Sequence, residues 1–68
     1  MSQDTMDEKR EGLEWVAKQV ALKRDAIKEK VILSAQSGSE RGEAMYSYAV
    51  SVLDDIHTTI LEEIKKCN

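Results

Sequence analysis

Asp54, Asp55, His57, Glu62 and Glu63 are the residues of this chain whose types and spacing come nearest to a reactive centre. Asp54-x-x-His57 places a carboxylate and an imidazole on neighbouring positions of a helix, the i, i+3 spacing from which metal sites in helical bundles are built. Such a site needs several contributions pointing into one core. The first helix offers no matching histidine, and its core-facing positions are aliphatic. The expectation is therefore no metal, with Asp54 on the polar side and His57 at the edge of an apolar face.

The remaining reactive residues are isolated in the same way. Cys67 needs a base beside it to act as a nucleophile. His57 lies ten positions earlier, nearly three helical turns away. No Ser/His/Asp arrangement occurs, and Ser37-Gly38-Ser39 is too short for a phosphate loop and precedes no Lys-Ser/Thr. No cofactor is implied, and the chain reads as a non-enzyme. Trp15, Tyr46 and Tyr48 are the aromatic residues, and Lys18, Lys23, Arg24, Lys28 and Lys30 make a locally basic stretch. Aromatics beside cations can bind single-stranded nucleic acid. These cations, however, point several ways around a helix, and the net charge is −3. Aromatics at helical spacing are more often core residues or interface anchors.

The elements that carry these residues follow from the one break in the chain. Gln36-Ser37-Gly38-Ser39 separates two long, charged, apolar-periodic stretches, and there is no proline in all 68 residues. This predicts an all-α protein, an antiparallel helical hairpin of one domain with helices at about 6–36 and 39–66 and a turn at 37–39. Thr5 and Glu8 form a capping box for the first helix. Gly38 serves as a left-handed stop, and Ser39 caps the second helix with Glu40 and Glu43 in its first turn. The two helices are expected to match in length. Gly12 is a weak spot inside the first.

Wound at 3.6 residues per turn, Leu13, Val16, Val20, Ile27 and Val31 share a face with Arg24 in its middle. They are expected to pack on Val52, Leu53, Ile56, Ile60 and Ile64. A second stripe, Trp15, Leu22, Ala26 and Leu33, lies nearly opposite. One hairpin does not cover two stripes, so a coiled-coil homodimer, a four-helix bundle, is expected. Chains this short usually need a disulfide, a metal or a partner. With one cysteine, association remains.

In outline the chain resembles small helical-hairpin proteins such as the plasmid RNA-binding repressor of primer and the co-chaperones of type III secretion needle subunits. That resemblance is one of length and shape and covers no specific motif. It implies either an RNA-binding regulator or a chaperone of another protein. The residues favour a protein-interaction module, an adaptor, chaperone or inhibitor. Trp15, Leu22, Tyr46 and Tyr48 would contact the partner, and Arg24 and Lys28 would orient an acidic one. A nucleic-acid regulator using Lys23, Lys28 and Lys30 is the alternative. A lone thiol, no apolar stretch of membrane-spanning length and no basic-then-apolar leader point to the cytoplasm.

Overall fold

The computed structural model describes residues 2–67, with side chains from residue 7 onward. Helix α1 runs Ser2–Gln36 and helix α2 runs Glu40–Lys66. They pack along their length as an all-α hairpin with principal extents of 56 × 14 × 11 Å.

The turn is built as its residues dictate. Gly38 takes φ +79°, a conformation that side chains disfavour. The Ser39 amide donates to the Ser34 carbonyl at 2.9 Å, and the Gly38 amide to the Ala35 carbonyl at 3.2 Å. These two bonds close a Schellman motif and satisfy the last carbonyls of α1. The Ser39 hydroxyl then accepts from the Gly42 amide at 3.1 Å and caps α2. Glu40 and Glu43 lie in the first turn of α2 and Lys65 and Lys66 in its last, each sign matching the helix dipole.

The start of α1 differs from the capping-box expectation. The helix begins at Ser2, so Thr5 lies inside its first turns, and the Thr5 side chain falls outside the described residues. Nothing in Ser2-Gln3-Asp4-Thr5 breaks a helix, so a capping preference alone does not set the boundary. The helices also differ in length, 35 residues against 27.

Three cross-helix pairs set the register: Arg24 with Asp54, Lys30 with Tyr46, and Ser34 with Gly42. In each pair the residue numbers add to about 77. This sets Ala17 level with Ile60, Val20 with His57, and Ile27 with Val50. It also sets Lys66 level with about Glu11, so the first two turns of α1 extend past the end of α2.

The seam is narrower than a 3.6-residue stripe. On α1 it holds Leu13, Ala17, Val20, Arg24, Ile27, Val31 and Ser34, buried or half-buried, at alternating spacings of four and three. On α2 it holds Tyr46, Val50, Leu53, His57, Ile60, Ile64 and Cys67 in the same alternation. This is the heptad pattern of a two-stranded antiparallel coiled coil. Val16, Val52 and Ile56, expected in the core, are 40%, 40% and 44% exposed. The physical reason lies in the run of residues. A seam through Met45, Val52 and Ile56 would continue into Thr59, Glu63 and Lys66, whereas the observed one carries no formal charge and, past His57, continues through Ile60 and Ile64 to the end of α2. His57 thus sits in the seam itself, half-buried, rather than at its edge. Among the described residues the buried apolar side chain is Ala17, 6% exposed.

Candidate protein-docking face

The heptad that builds the seam also assigns every other residue to a side of the hairpin. Antiparallel pairing brings the same flanking positions of both helices onto one broad face. Arg24 bonding to Asp54 marks one face, and Lys30 lying over Tyr46, with its Nζ 5.7 Å from the ring centroid, marks the other.

The Lys30 face gathers Val16 and Leu33 from α1 with Met45, Val52 and Ile56 from α2. These side chains are 40–62% exposed. Ala26 and Ala49 lie on the same face, exposed and half-buried. The opposite face offers Ile32 and Leu61 as its large exposed apolar residues. A shallow groove there, lined by Lys28, Val31, Ile32, Ser47 and Val50, is open to solvent. Trp15, Leu22 and Tyr48 project from the outer edges of the hairpin, 64%, 56% and 74% exposed.

The six residues expected to meet a partner therefore divide. Trp15, Leu22 and Tyr48 are exposed along the edges. Tyr46 is half-buried at the seam under Lys30. Lys28 stands on the opposite face, beside the groove. Arg24 turns inward: its Nη1 donates to Asp54 at 2.9 Å, its Nε to Asp25 at 3.3 Å, and its side chain is 17% exposed. Sequence reasoning assigned Val16, Val52 and Ile56 to the core and so missed them as surface. The signal was present in the unbroken three-four spacing from Tyr46 to Cys67.

Among the described residues no three His, Cys, Asp or Glu side chains come together in a manner that could hold a metal ion. His57 and Cys67 both lie in the seam, three layers apart. Among the described residues, no side chain and nothing of α2 lies within 4 Å of where a Cβ on Gly12 would stand. Among the described residues no helix is long and apolar enough to cross a membrane. No protein-family model matches the chain, and no curated protein or solved structure matches it either.

Proposed function

We propose that this chain is a non-enzymatic protein-interaction module, a small cytoplasmic adaptor, chaperone or inhibitor that presents a helix face to another protein. The observation that carries the reading is the concentration of Val16, Leu33, Met45, Val52 and Ile56 on one side of the hairpin, all exposed. The exposed area supports it. A compact monomer of 7.7 kDa is expected to expose about 4,300 Å², and this chain exposes 5313 Å². When no other protein occupies the face, a second copy covers it and the assembly is a homodimeric four-helix bundle.

The test is recovery of partners from the native host with tagged wild type and with Val52→Asp, with and without nuclease. A stoichiometric protein retained after nuclease and lost with Val52→Asp supports the reading. Loss of every partner after nuclease rejects it in favour of a nucleic-acid regulator. That second reading rests on Lys23, Lys28 and Lys30 all being exposed. It requires binding that falls steeply with salt and disappears when the three are neutralised.

A further inference from the structure

The two broad faces differ in charge as well as in polarity. Among the described residues, the apolar face holds Lys9, Lys23, Lys30 and Lys66 against the single carboxylate Glu63. The opposite face holds Asp7, Glu11, Glu14, Asp25, Glu40 and Asp54 against Lys18, Lys28 and Lys65. A chain of net charge −3 thus has a basic, apolar side and an acidic opposite one. Lys23 and Lys30 stand seven residues apart on the α1 side of the strip formed by Met45, Val52 and Ile56. That spacing is about 10.5 Å along the helix.

We propose that the occupant of this face is an acidic amphipathic helix of another protein. It lays an apolar stripe over Met45, Val52 and Ile56 and sets carboxylates two turns apart, at i and i+7, against Lys23 and Lys30. This rests on the interaction reading above and names the partner's chemistry. A helix is the natural occupant, because Met45, Val52 and Ile56 recur along α2 at spacings of seven and four, which an apolar helix stripe matches. Charge complementarity selects acid, since the cations flanking the strip have Glu63 alone to offset them. A second copy on the same face would bring four lysines, Lys23 and Lys30 of each copy, into one joint, a repulsion that salt screens and an acidic partner neutralises. Nucleic acid would answer the lysines but leave Met45, Val52 and Ile56 nothing to bury against.

The experiment uses two labelled synthetic amphipathic helices of about four heptads, identical in their leucine stripe, with glutamates along its edges in one and lysines in the other. Binding is followed by fluorescence anisotropy against wild type, Lys23→Glu/Lys30→Glu and Lys18→Glu/Lys28→Glu, with sedimentation velocity of each protein alone. The two double variants change charge equally on opposite faces, and all four lysines are exposed, so folding is retained. The expected result is binding of the glutamate peptide to wild type that weakens about tenfold or more in Lys23→Glu/Lys30→Glu and by less than about twofold in Lys18→Glu/Lys28→Glu. Lys23→Glu/Lys30→Glu should in turn prefer the lysine peptide. Equal losses in both variants would overturn the proposal. So would equal binding of both peptides, no binding of the glutamate peptide, or a wild-type dimer that excludes it. If the glutamate peptide fails while Val52→Asp still removes a partner recovered from the host, the interaction reading stands and the acidic-helix assignment falls.

Discussion

Arg24 and Asp54, thirty residues apart, meet across the hairpin with the guanidinium Nη1 2.9 Å from the carboxylate. Arg24 occupies a seam position between Val20 and Ile27, where an aliphatic residue would pack without a partner. Its carboxylate partner is 60% exposed, so water screens the pair and its net contribution is about 0.2–1 kcal/mol. Its larger role is positional. Sliding α2 by one turn would leave a half-buried cation without Asp54, a cost that apolar seam residues alone do not impose. The expected outcome is that Asp54→Ala lowers stability by up to about 1 kcal/mol. Arg24→Met should leave it unchanged or higher. Thermal denaturation followed by circular dichroism measures both. A large loss in Arg24→Met would show that the pair holds the fold together rather than its register.

Leu53 and Ile56 separate the seam from the docking face. Leu53→Asp puts a carboxylate into the half-buried seam, level with Arg24, and should lower stability by several kcal/mol, enough to unfold a hairpin this small. Ile56 is 44% exposed, so Ile56→Asp should retain helicity and change stability by less than about 1 kcal/mol. Association should weaken instead. Urea titration and sedimentation of the two variants distinguish the roles, and equal destabilisation would place Ile56 back in the core.

The helical glycines should respond to alanine with opposite signs. At Gly12 nothing lies within 4 Å of an added Cβ, so Gly12→Ala should stabilise by up to about 1 kcal/mol through helix propensity. At Gly42 a Cβ would stand 2.8 Å from the Ser39 hydroxyl oxygen and 3.0 Å from that of Ser34. The first of these is the hydroxyl that caps α2. Gly42→Ala should therefore forfeit the propensity gain and disturb the cap. Melting temperatures that rise for Gly12→Ala and fall or stay level for Gly42→Ala are expected.

Ser39 and Gly38 give a measure of the turn. Ser39→Ala removes the acceptor for the Gly42 amide and should cost about 1 kcal/mol. Gly38→Ala forces a Cβ into positive φ and should cost about 1–2 kcal/mol. Neither substitution touches the docking face, so binding at saturating concentration should be unchanged. Denaturant midpoints check the first statement, and anisotropy titration checks the second.

Trp15, the single tryptophan, is 64% exposed on the outer edge of α1. Its fluorescence in the isolated hairpin should be red-shifted and readily quenched by iodide. Association that covers this edge should shift emission to the blue and protect it. A concentration series with no change would show that the interface excludes Trp15.

The sequence by itself determined the hairpin, its turn and the caps on either side of that turn. Gly38, Ser39 and the acids that follow act through local backbone geometry and the helix dipole, which need only neighbours in the chain. The absence of proline and the long apolar periodicity likewise required two helices. The pairing of Arg24 with Asp54 and the exposure of Val16, Val52 and Ile56 were decided by tertiary structure. Each apolar stripe is wide enough to admit two seams, and the choice between them depends on what remains apolar along the whole length of both helices when they are laid side by side. Once Tyr46, Val50, Leu53, His57, Ile60 and Ile64 took the seam, Ile56 was turned outward to join Met45 and Val52. The charge of the face followed from the same event. Lys23 and Lys30 share a side with that strip only because antiparallel pairing brings the corresponding flanks of α1 and α2 together.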